Sequence, residues 1–308
     1  MRVEVVKQIL RFTTDRYQKL PAWLMIILAC CMTQLFVTIG VVLYFVGSLI
    51  IFLIYSLSKN GHTGNILSVV QGTHYKLFSF LCIALVLMAW VKWYERRPIA
   101  NLGFFKKKWA FEILKGWFYG TVLLSATCGL IYLFGGLSFD KVDLSSKTIW
   151  YVLSLLPLWL IQGGTEELIT RGWLLPLINK RSNLAIAVAV SSSLFGLMHL
   201  GNDHVTITSM LSLILSGFLM ALYMLKTDNI WGVVGLHGAW NFMQGNFFGV
   251  AVSGTPTEAS ILTVKSKAGT PDWLSGGAFG IEGSLIASLV LLVGIGILAW
   301  QLKKEDVI

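Results

Sequence analysis

The sequence predicts an all-α, polytopic transmembrane helical bundle of about eight spans. Three observations predict it. Of the 308 residues, 56% are hydrophobic and only 13% are charged, about half the charged share of soluble domains. That excludes a disordered chain, a coiled coil and an ordinary cytosolic enzyme. Eight apolar segments recur along the chain, and a span needs roughly 20 apolar residues. The Lys and Arg residues are spread unevenly between the loops, as membrane orientation requires. The net charge of +9 is therefore read as orientation. Nucleic acid is not an expected partner, because no basic stripe with interleaved aromatics is present.

Residues 1–20 are polar and basic, with Arg2, Lys7, Arg11, Arg16 and Lys19. The apolar stretch that follows, 22–56, is too long for a signal-peptide core, and no small-residue cleavage site closes it, so it reads as a retained anchor. It is long enough for two crossings but holds no polar turn, only Gly40 and Gly47. One crossing with a cytoplasmic N-terminus leaves 17 basic residues inside and six outside, namely Lys59, Lys76, Lys141, Lys147, Lys265 and Lys267, with Arg171 within a span. Two crossings would move the first five basic residues outside and spoil that bias. The later segments are 77–91, 111–134, 148–179, 184–202, 205–225, 230–249 and 282–302, so both termini are expected in the cytoplasm. Between the last two, residues 250–281 are dense in Gly, Ser, Thr and Pro and read as a loop. It is long enough to be a lid as well as a plain extracytoplasmic connection. No internal repeat is visible. The chain divides into 1–75, a basic tail, first helix and polar loop, and 76–308, the core. Cys30, Cys31, Cys82 and Cys128 all lie in apolar runs without a CxxC and read as small hydrophobes.

Charged residues inside spans are costly and each asks for a reason. Glu167 and Arg171 are four apart on one helix face and form a clamp. Glu166 sits about 100° round the helix with no charged partner in its own segment, which makes it a candidate base. Gln162, Gly163, Gly164 and Thr165 precede it and are expected to let the helix loosen. Ser192, Phe195 and His199 share one face of the next segment. His237 and Asn241 share another, with Gln244 continuing the stripe. Ser209, Ser212 and Ser216 form a small-residue stripe suited to helix packing. One unpaired Glu, two His and one Asn on three helices supply the parts for amide hydrolysis. A Glu and a His activate water, while a second His and an Asn amide donate to a developing oxyanion. Glu166, His199 and His237 could instead hold a zinc ion with a position open for water, although no HExxH is present. Helical rise places Glu166 and His237 towards the cytoplasmic side and His199 towards the other.

Glu166-Glu167-Leu168-Ile169-Thr170-Arg171 fits EExxxR, Phe195 to His199 fits FxxxH, and His237 to Asn241 fits HxxxN. In that order, within apolar segments, they resemble the CPBP family, the CAAX prenyl protease type II enzymes and their bacterial relatives, also called the Abi family. Arg96-Arg97-Pro98 leading to Leu102-Gly103-Phe104 resembles the family's loop before the core, and Gly276 to Gly283 its last loop. The resemblance covers about residues 90–300. It implies that Glu166 is the general base acting with His199, that His237 and Asn241 serve the oxyanion, and that Glu167, Arg171 and Phe195 support them. The family is labelled both metalloprotease and metal-free glutamate protease, and both readings use the same residues. The implied activity is an intramembrane endopeptidase acting on a membrane-associated or lipidated polypeptide. Bacterial relatives are linked to bacteriocin maturation or self-immunity, which implies a bacterial plasma membrane. A non-enzymatic scaffold or immunity protein is the alternative. A transporter would call for paired broken helices in two similar halves, and none stands out.

Overall fold

The computed structural model describes residues 7–11, 13–58, 72–105 and 107–308. Arg2, Lys59 and Lys106, and most of the polar loop before residue 76, lie outside the described residues. Each of the eight apolar segments is helical. Helix α1 is Ala22–Ser58, a single helix of 37 residues, about 55 Å long at 1.5 Å per residue. It is unbroken, with no turn of the kind that two crossings would need. Helix α2, Thr73–Ala89, continues into a π-helical turn, Trp90–Tyr94. Helix α3 is Trp109–Leu133. Helix α4, Ser146–Glu167, runs through a π-helical stretch, Leu168–Leu174, into α5, Leu175–Arg181. Then follow α6, Leu184–Leu197, and α7, Ile207–Thr227. Helix α8, Trp231–Phe242, extends as a π-helical turn to Phe247, and α9 is Leu285–Lys304. Among the described residues, five helices are long and apolar enough to cross a membrane: α1, α2 with its turn, α3, α7 and α9. The other three predicted spans are shorter or interrupted by polar residues, and these are the ones that carry the candidate site residues.

Side-chain caps set several helix starts. Ser145 caps α4, Asn183 caps α6 and Ser284 caps α9, each accepting from a backbone N–H three residues on. Thr206 and Ser209 close a capping box on α7. This gives Ser209 a second role beside the packing expected of the serine stripe. Ser212 is buried, while Ser216 lines the central cavity.

Helix α8 is buried on every side, and glycines allow the close approach. A Cβ on Gly116 or Gly120 of α3 would run into the Gly232 or Leu236 carbonyl of α8, and one on Gly235 into the Ile113 carbonyl. Membrane helices lack a hydrophobic drive to associate with one another, so backbone proximity of this kind provides much of the contact. On the opposite face Gly163 of α4 packs on His237 and Gly238, and Gly238 on Trp159 and Leu160. Gly163 and Gly164 therefore bring two helices together and do not loosen one. The backbone stays α-helical through Glu167 and widens only afterwards. Helix α1 packs through Gly40 against the Ile83 backbone and through Phe36, edge-on to Trp173 at 5.2 Å.

The loop 250–281 is more ordered than its composition suggests. Leu262–Ser266 pairs antiparallel with Leu137–Val142, a small sheet added to the otherwise helical fold. Glu258 caps α2, accepting from the Thr73 N–H at 2.7 Å, and also accepts from the Tyr151 hydroxyl at 2.7 Å.

At the opposite end several termini are tied together. Glu305 pairs with Lys7 at 3.2 Å and with Lys226. The Asp228 carboxylate accepts from the Gln8 and Ile9 N–H groups, both at 2.9 Å. Lys180 pairs with Asp15. Basic residues assigned to one side from their sequence positions thus sit together at one end.

Candidate active site

Glu166 and Glu167 close α4, and their neighbours divide them. Glu167 is fully buried. Its Oε1 accepts from Arg171 Nη1 at 3.1 Å and from His237 Nδ1 at 2.9 Å. Arg171, also fully buried, donates further to the Thr170 hydroxyl at 2.6 Å and to the Gly217 carbonyl of α7 at 2.9 Å. Its guanidinium lies 4.6 Å from the ring centroid of Phe195. The expected clamp is present, and Glu167 does more than expected, because it also holds one face of His237. A carboxylate already paired with Arg171 can only accept, so His237 carries a proton on Nδ1 and turns Nε2 towards Glu166.

Glu166 Oε2 lies 3.7 Å from His237 Nε2, beyond hydrogen-bond range. That oxygen is buried with no hydrogen-bond partner. Glu166 Oε1 accepts from Gln162 Nε2 at 2.6 Å, and Gln162 Oε1 accepts from Asn241 Nδ2 at 2.7 Å. Glu166 thus has a neutral partner one turn back on its own helix, which the search for a charged partner did not reveal. Gln162 is the candidate site residue that the sequence did not single out. Its i−4 spacing to Glu166 was visible, but its contact with Asn241 depends on α4 packing against α8.

His199 sits in the turn after α6. Its Nδ1 is 2.8 Å from the Phe195 carbonyl. A carbonyl only accepts, so Nδ1 carries the proton and Nε2 presents a lone pair. Phe195 lies between the two imidazoles, 4.9 Å from His199 and 5.8 Å from His237 between ring centroids. Gln244, which continues the His237 stripe in sequence, turns away. It donates to the Ala251 carbonyl at 2.6 Å and to Glu282 at 3.1 Å, tying the loop down.

These side chains meet in one cavity of about 400 Å³ whose lining includes Gln162, Glu166, His199, His237 and Asn241. The depth mismatch expected for His199 is resolved by the hairpin between α5 and α6. Glu166 lies fifteen residues before Arg181 and His199 sixteen after Asn183, so antiparallel helices bring them to similar heights. His237 joins them because the chain through α5 continues well past the start of α8. Gly172 is level with Ile230, and Glu166 and His237 lie six and seven residues beyond those points, about 10 Å in each case. Apolar residues of α1 and α2, including Val37, Val41, Leu77 and Phe80, form one wall, and Ser253, Thr255, Pro256 and Glu282 form another.

The zinc reading was tested on the donors. Among the described residues, no three His, Cys, Asp or Glu side chains gather as a metal-ligating set. His237 Nε2 and Glu166 Oε2 face one another, and the Nδ1 bonds of the two histidines orient the rings without excluding Nε2 as a ligand. Glu166, His199 and His237, the alternative zinc set, are not gathered as a metal-ligating group among the described residues.

Residues 148–243 match the family model for Type II CAAX prenyl endopeptidase Rce1-like proteins. The matched segment carries Gln162, Glu166, His199, His237 and Asn241. The cavity walls supplied by α1, α2 and the loop lie outside it. No curated protein and no solved structure matched the chain.

Proposed function

We propose, from the match of residues 148–243 to the Type II CAAX prenyl endopeptidase Rce1-like family model, that the chain is an intramembrane endopeptidase acting on a membrane-associated polypeptide through a metal-free, Glu166-based mechanism. The observation that carries this reading is the buried, unpartnered Oε2 of Glu166 beside His237 in a cavity shared with His199 and Asn241. Glu167 Oε2 is also buried without a partner, but Glu166 is the one of the two that lines the cavity, and its free oxygen lies beside His237 Nε2.

In this reading a water held by the His199 Nε2 lone pair loses a proton to Glu166 Oε2 while its oxygen bonds to the scissile carbonyl carbon. His237 acts as an imidazolium, bonded through Nδ1 to Glu167. That state leaves the buried set of Glu166, Glu167, Arg171 and His237 neutral overall, as burial favours. Its Nε2–H and the second N–H of Asn241 donate to the oxyanion. On collapse the C–N bond breaks, and Glu166 passes its proton to the departing amine. The apolar wall from α1 and α2 suits a lipidated or strongly apolar peptide, and a bacteriocin-type peptide is a second substrate of the same kind. In the same reading both termini lie on the cytoplasmic side of a bacterial plasma membrane, and the basic residues gathered at one end support it.

The test is quantitative mapping of peptide N- and C-termini in host membranes. A deletion strain carrying wild type is compared with one carrying Glu166→Gln at equal abundance. Termini that appear only with wild type are the expected result. Identical maps, with the variant still rescuing the deletion phenotype, would move the scaffold or immunity reading ahead.

A further inference from the structure

We infer that Gln162 is a positioning residue that aims Glu166 and fixes the orientation of the Asn241 amide. Gln162 is only 7% exposed and stands one helical turn before Glu166. It makes one bond to each side, 2.6 Å to Glu166 and 2.7 Å from Asn241. The chemistry of the two partners fixes its polarity. An ionised carboxylate only accepts, so Gln162 must turn its NH₂ to Glu166. Its carbonyl then faces α8, and Asn241 must answer with an NH₂. One N–H of Asn241 is used in that bond, and the other stays available as a donor. The charge on Glu166 therefore sets, through Gln162, which end of the Asn241 amide faces the cavity.

The same bond aims the base. Holding Oε1 leaves Oε2 as the oxygen without a partner, 3.7 Å from His237 Nε2. Glu167 is fixed by Arg171 and His237, and Glu166 is fixed on its own helix by Gln162 alone. Gln162 lies outside all three motifs, so its role comes from the packing of Gly163 on α8. The catalytic meaning of this relay rests on the protease reading, but its existence does not.

Full-length wild type, Gln162→Met and Gln162→Glu are assayed in detergent on a farnesylated, internally quenched peptide ending in a CAAX sequence. Met keeps length and loses both bonds. Glu keeps shape and loses the donor that Glu166 needs. Both variants should lower kcat about 10²-fold, Glu at least as much as Met, with KM within about twofold because neither removes a substrate contact. Unchanged kcat in both, or a loss confined to KM, overturns the inference. A second readout needs no substrate. Thermal unfolding of Gln162→Met, Asn241→Leu and the double variant forms a cycle. The double variant should lose less in Tm than the two single losses combined. Strictly additive losses overturn the relay. If wild type leaves the peptide intact, the protease reading fails for this substrate class while the cycle still decides the relay.

Discussion

Glu167 and Glu305 are built alike and placed differently. Each is a carboxylate that receives two basic side chains, Arg171 and His237 for Glu167, Lys7 and Lys226 for Glu305. The Glu167 side chain is wholly buried, whereas 38% of the Glu305 side chain is exposed. Water can replace a lost partner at Glu305 and cannot at Glu167. The same bonding pattern is therefore a surface tie in one place and an interlocked unit in the other, where removing any member strands a charge. Beside the interlocked unit, Glu166 turns an unpartnered oxygen towards His237 on the cavity wall.

The sharpest way to break the comparison is through that oxygen. Glu166→Gln keeps the shape and still reaches Gln162 by amide rotation, so folding should hold while turnover falls about 10²–10⁴-fold, the usual worth of a general base. Terminal mapping or peptide cleavage measures the loss, with Tm as control, and activity close to wild type would remove Glu166 as the base. Next in size is Arg171→Ala, which leaves Glu167 without its guanidinium and the Gly217 carbonyl without its donor. About 3–5 kcal/mol of stability should go, read by denaturant unfolding in detergent. A variant that unfolds like wild type but has lost activity would place Arg171 in the chemistry instead of the clamp.

What could be read in the sequence follows from distance along the chain. All eight apolar segments were legible as helical, because long apolar runs report themselves. Glu167 with Arg171, Phe195 with His199, and His237 with Asn241 were legible as pairs four apart on one face. Contacts between elements were not. Gln162 looked like a loosening residue because nothing local ties it to Asn241. Gly163 looked like a weak point, yet the Cβ it lacks is what lets α4 reach His237. The strand Leu137–Val142 finds its partner more than a hundred residues away, with no local signal for either. His199 looked too far from Glu166 because helical rise counted within separate segments put them towards opposite sides, whereas the α5–α6 turn sets their relative height.

The two smallest effects separate packing from charge. Gly235→Ala puts a methyl against the Ile113 carbonyl, backbone on backbone, so α3 and α8 must part. Overpacking of this kind costs about 1–3 kcal/mol. Because His237 lies two residues on, activity should fall more than stability, and a variant with normal Tm and normal turnover would show that α8 tolerates the shift. Glu305→Ala should cost under about 1 kcal/mol, as exposed ion pairs do, with no change in turnover. The sign of its pH dependence is fixed. The hydrogen bond from Lys226, with Lys7 beside it, outweighs slight burial and holds the Glu305 carboxyl below the ordinary glutamate value. Its contribution is therefore complete above that ordinary value and is lost as pH falls through the lower folded one. Stability curves of wild type and Glu305→Ala should converge on acidification and separate towards neutral pH. Added salt should narrow the gap, whereas the loss in Arg171→Ala, sealed from solvent, should barely respond to salt. Equal salt sensitivity in the two variants would mean that water reaches Glu167, and the contrast between the two carboxylates would fail.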